Sequence, residues 1–397
     1  MGKWEMVRLG DVFDIGSSKR VFQSEWRDSG VPFYRAREIV KLACDGYVDN
    51  ELFIDETMYD DYARKYGIPS EGDIMVTGVG TLGVCYIVKS SDRFYFKDGN
   101  ILWFKKRVPV NSKYIISLFD TSYIKEQIQR NSSGTTVGTF TISTANKIQI
   151  PFPPLSVQEK IADVLDRAST LIEKRKTQIE KLDLLVKSQF VEMFGDPVTN
   201  PKGWEIKKLG AVTSKITDGV HQKPVYTNSG VPFISVVNLN KGFLNFSDCK
   251  FVSEEDYTKM TKSVSPEYGD VLYTKVGATY GIPAFVDTRE KFCLYVSVSL
   301  IKPIHEQINA RFLALSMAMP YIKYQADKRI KGIGVPDLHL NQIREFDICV
   351  PPQEEQEIFL HFVQQVEAQK SLLQQSLAKL EQNYKSLIQK CFRGEIF

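Results

Sequence analysis

The feature that most constrains this 397-residue chain is an internal repeat. Four groups of residues recur in the same order 197–200 positions later. They are Trp4-Glu5, Gly30-Val31-Pro32-Phe33, Gly72-Asp73 and Pro153-Pro154, which return as Trp204-Glu205, Gly230-Val231-Pro232-Phe233, Gly269-Asp270 and Pro351-Pro352. Solenoid repeats are far shorter, at about 20–50 residues. We therefore predict two copies of one domain-plus-helix unit.

Each copy divides into a globular part and a helical part. The globular part is rich in short β-branched and aromatic runs, such as residues 73–77 and 101–104, separated by Gly, Asn, Asp and Pro, which indicates a mixed α+β domain. The helical part follows the double proline, which cannot continue a helix from upstream. A helix of about 40 residues would be about 60 Å long. The predicted boundaries are 1–153 and 197–351 for the globular domains and 154–196 and 352–397 for the helices.

Both predicted helices show heptad spacing in one shared register, interrupted by Arg175 and Lys370. The helix–helix interface is predicted to consist of Leu165, Ile172, Ile179, Leu182, Val186, Val363, Val366, Leu373, Leu377 and Leu380. Because only residues 195–203 separate the first helix from the second domain, the second helix must run antiparallel to pack on the first. The predicted fold class is α+β, with two duplicated domains separated by two long antiparallel coiled-coil helices with pseudo-twofold symmetry. The alternative is that each helix packs only on its own domain.

Composition places the chain among globular proteins, with 43% hydrophobic and 25% charged residues. No run of about 18 apolar residues is present, and the N-terminal sequence lacks the apolar core of a signal peptide. Six scattered cysteines without a Cys-x-x-Cys pair favour reduced thiols and a cytoplasmic location. The net charge is only +3, so a nucleic-acid-binding surface would have to be a local patch.

The sequence contains one spacing typical of a cofactor-binding loop, but its context argues against that function. Residues 78–83 have the Gly-x-Gly-x-x-Gly spacing of a dinucleotide loop, but a β-branched run follows where a helix would be needed, so we predict a hairpin. Neither a P-loop nor the Asn/Asp-Pro-Pro-Phe/Tyr motif of amino-methyltransferases occurs in the sequence. The four histidines do not have the spacing of metal ligands. We therefore predict no catalytic residue, no cofactor and no metal.

The repeated motifs resemble those of the specificity subunits of type I restriction–modification systems, over the whole chain. The resemblance is carried by the Trp4 and Trp204 motifs, the Gly30 and Gly230 motifs, and Pro153-Pro154-Leu155 with Gln158 and Ile161. The second helix departs from the family pattern, with Gln353 where leucine is common.

This resemblance implies a non-catalytic, DNA-binding subunit that directs DNA methylation. Each globular domain would be a target-recognition domain that reads one half of a bipartite double-stranded DNA site. The helices would set the gap and would hold two methyltransferase subunits. Because both domains would be attached to one rigid pair of helices and meet the same face of the duplex, the half-site centres are predicted to lie about one helical turn apart. A restriction and translocase subunit could join, and no membrane would be involved.

Four segments in each domain are predicted to be protruding loops that carry side chains able to read base edges. They are residues 17–20, 34–37, 78–83 and 131–136 in the first domain, and 218–223, 235–238, 275–280 and 328–332 in the second. The predicted DNA-binding residues of the first domain are Lys19, Arg20, Arg35, Arg37, Gly80, Thr81, Thr135 and Thr136. Those of the second domain are His221, Gln222, Lys223, Ser235, Asn238, Lys275, Thr279, Tyr280, Arg329 and Lys331. The segments of the two domains align but differ in sequence, as expected for readers of different half-sites.

Two other functions remain open from the sequence alone. The chain could be the recognition module of a fused type II restriction–methylation enzyme, although the methyltransferase motif is absent from it. It could also be a coiled-coil scaffold that binds only protein.

Overall fold

The computed structural model describes residues 4–131, 138–196, 199–239, 242–262, 265–330 and 334–397. The contacts divide the chain into two units. The first unit contains both ends of the chain, Met1–Lys176 and Gln375–Phe397, and the second is the continuous segment Thr177–Gln374. Both divisions fall within long helices, so each of these helices contributes to both units.

The first unit is built around an antiparallel sheet with strand order β2-β8-β5-β6, accompanied by a β4-β3-β7 sheet and a β1-β9 pair. Its strands are β1 (Met6–Arg8), β2 (Phe13–Gly16), β3 (Val31–Tyr34), β4 (Phe53–Ile54), β5 (Ile74–Thr77), β6 (Cys85–Ile87), β7 (Tyr95–Phe96), β8 (Ile101–Lys106) and β9 (Gln149–Pro151). Its helices are α1 (Leu9–Val12), α2 (Ala36–Asp45), α3 (Glu56–Tyr66), α4 (Ser112–Phe119), α5 (Ser122–Asn131), α6 (Ile142–Lys147) and the first part of α7 (Leu155–Phe194). Strands β5 and β6 form the predicted hairpin around residues 78–83.

The second unit repeats this topology, with sheets β11-β17-β14-β15 and β13-β12-β16 and a β10-β18 pair. Its strands are β10 (Glu205–Lys208), β11 (Thr213–Asp218), β12 (Val231–Ile234), β13 (Lys250–Val252), β14 (Val271–Thr274), β15 (Pro283–Phe285), β16 (Cys293–Leu294), β17 (Val298–Pro303) and β18 (Asp347–Val350). Its helices are α8 (Glu254–Met260), α9 (Ala310–Met317), α10 (Pro320–Arg329), α11 (Leu340–Arg344) and α12 (Gln353–Arg393), whose last part belongs to the first unit. The predicted duplication is confirmed.

The central sheet of each unit is buried on both faces. Along β5, Ile74 and Val76 enter one hydrophobic cluster, whereas Met75 between them enters another. In β14, Val271 and Leu272 divide between two clusters in the same way. Successive side chains of a strand point to opposite faces, so a strand covered on both sides is apolar at every position. One face packs on the long helices, and the other supports the smaller sheet.

Helices α7 and α12 run antiparallel within each unit. In the first unit, the start of α7 at Leu165 shares a core with the end of α12 at Cys391. In the second unit, Phe190 near the end of α7 packs on Phe359 near the start of α12, with ring centroids 5.5 Å apart. The predicted antiparallel pairing of the long helices is confirmed.

The predicted interface residues all lie on the less exposed faces of the two helices. Toward the domains, Leu165, Ile172, Val363 and Val366 are buried. The others are half-buried, namely Ile179, Leu182, Val186, Leu373, Leu377 and Leu380. The polar Lys370 forms an ion pair with Asp183. The heptad positions therefore lie on the less exposed face of each helix. The polar Lys370 occupies one of these positions near the middle of α12.

A fully buried glutamine ties each long helix to its domain. The Gln158 side-chain oxygen accepts a hydrogen bond from the Asn111 backbone N–H at 3.0 Å, and its amide donates to the Pro153 carbonyl at 2.9 Å. Gln356 makes the same two bonds, with the Asn309 N–H and the Pro351 carbonyl, both at 2.8 Å. The carboxamide uses both its oxygen and its NH2 group. Gln158 therefore fixes the start of α7 against α4, which Asn111 caps, and Gln356 fixes the start of α12 against α9, which Asn309 caps.

We predict that Gln158→Leu lowers the free energy of unfolding by about 1–3 kcal/mol, because it leaves a buried N–H and a buried carbonyl without partners. Gln178→Leu is the matched control, since Gln178 is exposed on the same helix and should change stability by less than about 0.5 kcal/mol. Urea unfolding followed by circular dichroism measures both. Equal stability of the two variants would show that the buried carboxamide contributes nothing.

Candidate nucleic-acid interface

Several predicted DNA-binding segments of the first unit lie together at one end of the strands of its central sheet. Strands β2 and β5 end there, and β8 begins there, because Gly16 pairs with Trp103 and Thr77 with Ile101. The segment after β2 and the β5–β6 turn therefore leave the sheet at the same end, on either side of β8. The antiparallel order of the strands, which the local sequence does not reveal, brings these segments together.

The connection between β7 and β8, residues 97–100, joins this edge to the smaller sheet. The Lys97 N–H donates to the Tyr34 carbonyl at 2.8 Å, and the Gly78 N–H donates to the Asn100 carbonyl at 2.8 Å. The Gly99 N–H donates to the Ser17 hydroxyl oxygen at 3.0 Å. Segments that follow β2, β3 and β5 thus meet on one short connection. We call the surface formed by residues 17–20, 34–37, 78–83 and 97–100 the loop edge of the first unit.

The second unit builds its loop edge with equivalent backbone bonds. The Lys275 N–H donates to the Ser297 carbonyl at 2.9 Å, which matches the Gly78–Asn100 bond of the first unit. The Leu338 N–H donates to the Lys275 carbonyl at 2.9 Å, which matches the bond from Phe140 to Gly78. The two loop edges therefore share a backbone frame and differ in the side chains that they present.

Three of the four predicted basic residues of the first unit, Arg20, Arg35 and Arg37, are held by carboxylates. Lys19 and Arg20 are exposed after β2, and the Arg20 Nε lies 3.0 Å from Asp98. Arg35 is half-buried and precedes α2, whereas Arg37 lies in the first turn of that helix. The sequence predicted a loop for residues 34–37, but the helix begins at Ala36. Both arginines remain at the loop edge.

Glu38 organises these two arginines. It is buried, it accepts from the Arg35 backbone N–H at 2.9 Å, and its other oxygen lies 2.9 Å from the Arg35 guanidinium. Arg37 bridges Glu38 to Glu51. Burial acts to raise the pKa of Glu38, but the hydrogen bonds from Arg35 and Arg37 outweigh it and hold the pKa below the ordinary range of a glutamate.

The remaining predicted residues of the first unit lie in or beyond the β5–β6 turn. Gly80 and Thr81 are exposed at its tip, and Gly80 has a φ of 71°, in the left-handed region that favours glycine. The Thr77 hydroxyl closes the turn by bonding to the Thr81 carbonyl. Thr135 and Thr136, like Lys331 in the second unit, lie outside the described residues.

In the second unit, the predicted residues after β11 and β12 differ in exposure. His221, Gln222 and Lys223 are exposed. Ser235 is half-buried, and Asn238 is buried, where its side-chain oxygen accepts from the Ser235 N–H at 3.0 Å. Asn238 thus makes the same capping bond that Glu38 makes in the first unit.

Several of the other predicted residues of the second unit are engaged within the protein. Thr279 is exposed at the β14–β15 turn. The Tyr280 hydroxyl bonds to Asp327. The Arg329 guanidinium donates to the Gln325 and Glu345 carbonyls, both at 2.9 Å. Lys275 is buried between two carboxylates, so its geometry does not present it to a ligand.

Sequence reasoning missed two features of the loop edges. The connection at residues 97–100, and its counterpart at 295–297, was not singled out because it contains no cluster of basic residues. Val237 was also missed, although it is 63% exposed at the position that Arg37 occupies in the first unit. Extending the 200-residue repeat position by position would have found it, and an exposed valine can contact a thymine methyl group.

A cavity of about 250 Å³ lies beside the second loop edge and is lined by Asp218, His221, Met260 and Cys293, among others. Burial raises the pKa of the Cys293 thiol to about 12, so this thiol stays protonated and is not a nucleophile at neutral pH. Among the described residues, no group of three or more His, Cys, Asp or Glu side chains could hold a metal ion. In the same part of the chain, no helix has the length and apolar character needed to cross a membrane.

Comparison with known proteins defines the class to which this arrangement belongs. The family model described as type I restriction modification DNA specificity domain matches the chain twice, at residues 1–182 and 201–382. The chain therefore belongs to the type I restriction–modification DNA specificity family, and the resemblance seen in the repeated motifs is confirmed.

Individual relatives agree with this assignment. The MjaIX specificity subunit of Methanocaldococcus jannaschii is 26% identical over 383 residues, which cover 88% of this chain and 83% of that protein. The EcoBI specificity subunit of Escherichia coli is 22% identical and covers 99% of this chain and 86% of that protein. The S subunit from M. genitalium shares the fold, with a TM-score of 0.51 at 14% identity over 98% of this chain and 96% of that one.

A chain from a solved type I restriction–modification system shows the same likeness in fold. It has a TM-score of 0.64 at 19% identity and covers 100% of this chain and 98% of that chain. The fold is therefore that of a specificity subunit over both copies of the repeat.

We predict that the loop edge of the first unit loses stability in acid because of Glu38. A carboxylate whose pKa is lowered by folding contributes stability above its unfolded pKa, and this contribution is lost as the pH falls through the folded pKa. Glu38→Gln should be about 1–3 kcal/mol less stable than wild type at pH 7, and the difference should shrink as the pH falls below about 4.3. Urea unfolding between pH 7 and pH 3 measures it.

The matched control for this titration is Glu71→Gln, because Glu71 is an exposed glutamate of the same unit. Its difference from wild type should be small at every pH. A Glu38→Gln difference that stays constant from pH 7 to pH 3 would contradict the role given to the Glu38 carboxylate.

Proposed function

We propose that this chain is the DNA-recognition subunit of a type I restriction–modification complex and reads a bipartite double-stranded site, with one half for each loop edge. The observation that carries the proposal is that two loop edges share one set of backbone hydrogen bonds but present different side chains. One frame used twice with different side chains suits two unlike half-sites. The relatives that span most of this chain are named as specificity subunits, which favours this function over a fused enzyme or a protein-only scaffold.

In this proposal, the exposed residues of the loop edges contact DNA and the buried ones position them. The first group comprises Lys19, Arg20, Arg37, Gly80, Thr81, His221, Gln222, Lys223, Val237 and Thr279. Arginine can bind the O6 and N7 atoms of a guanine together, and glutamine can bind the N6 and N7 atoms of an adenine together. The chain's small net charge means that non-specific attraction to phosphate is weak, so base contacts carry more of the selectivity.

The partners are also part of the proposal. We assign to helices α7 and α12 the role of a spacer that sets the gap between the half-sites, and of the surface that recruits two methyltransferase subunits. A restriction and translocase subunit would join the same complex. The long helices are suited to this role because their outer faces are largely exposed and mostly polar.

We predict that co-expression of the full chain with its methyltransferase subunit in a host that lacks other methylation produces one bipartite methylated motif. Neither protein alone should produce it, because the chain supplies the recognition and its partner the chemistry. Sequencing that detects methylated bases across the genome is the measurement. Methylation by the partner alone, or an uninterrupted motif, would contradict the proposal.

We predict that Arg37→Ala relaxes one position of the half-site read by the first unit. Losing a bidentate contact to guanine costs about 1–3 kcal/mol, or roughly 5–150-fold in discrimination at that position. Arg107→Ala is the matched control, because Arg107 follows the far end of β8 and its side chain is 55% exposed, against 54% for Arg37.

The methylation motif reports the result for both arginines. The Arg107 variant should keep the wild-type motif. If the Arg37 variant also keeps every position of it, or if both variants weaken methylation uniformly, Arg37 is not a base-reading residue.

A further inference from the structure

We propose that Lys275 is a positioning residue that holds three segments of the second loop edge in one arrangement and does not itself contact DNA. The three segments are residues 218–223, 275–280 and 334–338. The inference rests on the proposed function, since it assigns how the second half-site is read.

The geometry around the Lys275 ammonium group supports this role. Its side chain is only 7% exposed, and its Nζ lies 3.4 Å from Asp218 Oδ2 and 3.6 Å from Asp337 Oδ1. The two carboxylates belong to two of these segments, and the lysine belongs to the third. A buried charge is retained only when it is paired, so movement of any one segment would leave a charge poorly compensated.

Backbone bonds join two of the three segments directly, and a close approach fixes the third. The Lys275 N–H and carbonyl bond to Ser297 and Leu338, which places residues 334–338 beside the end of β14. Asp218 is followed by Gly219, where an added Cβ would lie 2.0 Å from the Leu294 carbonyl oxygen. This close approach fixes the backbone next to Asp218, so the ion pair joins segments that are already aligned.

His221 places an exposed side chain on the same cluster. Its Nε2 lies 3.4 Å from Asp218 Oδ1, whereas Lys275 is near the other oxygen of that carboxylate. Asp218 is therefore the link between a buried lysine and the exposed residues 221–223. A change at Lys275 would act on these residues through Asp218.

The first unit shows that this cluster is not required by the fold. Gly78 occupies the position of Lys275 and makes the equivalent backbone bonds. A Cβ at Gly78 would lie 2.8 Å from the Phe140 carbonyl oxygen, so no side chain fits there. The same frame forms without a lysine at this position, so the fold itself does not require the Lys275 ion cluster.

The test compares methylation motifs for the full chain with its methyltransferase partner. In Lys275→Met, several positions of the second half-site should lose discrimination by about tenfold, equal to about 1.4 kcal/mol, while the first half-site is unchanged. Asp218→Asn should give the same pattern. The double variant should be no worse than either single one, because residues that act through one network are not additive.

Lys302→Met is the matched control. Lys302 also contacts two carboxylates, Glu267 and Asp270, at 2.9 and 2.8 Å, but it lies at the other end of β17. It should leave the motif unchanged. If Lys275→Met does not fold in urea titrations, a triple variant with Asp218→Asn and Asp337→Asn removes the charges together and should show the same relaxed second half-site.

Two results would overturn the inference. A Lys275→Met effect at a single base position, with no effect of Asp218→Asn, would make Lys275 a direct contact. If all the Lys275 and Asp218 variants keep the wild-type second half-site, Lys275 has no positioning role. Failure of the wild-type chain to produce a second half-site would instead reject the proposed function itself, so the two failures are distinguishable.

Discussion

The structure depends on hydrophobic contact between opposite ends of the two long helices within each unit. In the first unit, the start of α7 and the end of α12 complete one core, and Tyr114 stacks edge-on against Phe392 at 5.4 Å. In the second unit, Phe190, Phe194 and Phe359 form an aromatic cluster with Phe312 of the globular domain. An isolated amphipathic helix is marginal in water. Each long helix therefore takes its stability from both domains, and each domain needs both helices to close its core.

The duplicated sheet lets recognition diverge without changing the fold. The bonds that shape each loop edge run between backbone groups, such as those of Lys275 with Ser297 and of Gly78 with Asn100. Backbone bonds place few demands on the side chains, so one position can carry Arg37 in one unit and Val237 in the other. What is conserved between the two copies of this chain is the frame and the buried glutamine that joins it to its helix.

The sequence predicted the parts of the structure that depend on periodicity. The 200-residue repeat indicated two copies, and the heptads indicated antiparallel helices whose inner faces include Leu165 and Val363. Residues such as Arg37 and Asn238 were predicted in loops, but they lie in helical turns because a side chain three residues after the cap position closes the turn. The position of Lys275 could not be predicted, because its partner Asp337 is distant in sequence and β-sheet topology alone brings the two together.

In the proposed function, the carboxylates at the loop edges would help a nearly neutral chain to discriminate between DNA sites. Arg20 pairs with Asp98, and Arg37 pairs with Glu38 and Glu51. To bind phosphate without a matching base, such an arginine must give up its carboxylate for a contact of similar strength, so non-specific binding gains little. Only at a matching site would the released arginine also meet the two aligned acceptors of a guanine edge. In this proposal, discrimination arises as much from the cost of leaving the internal partner as from the base contact, so specificity is obtained partly by disfavouring the wrong site.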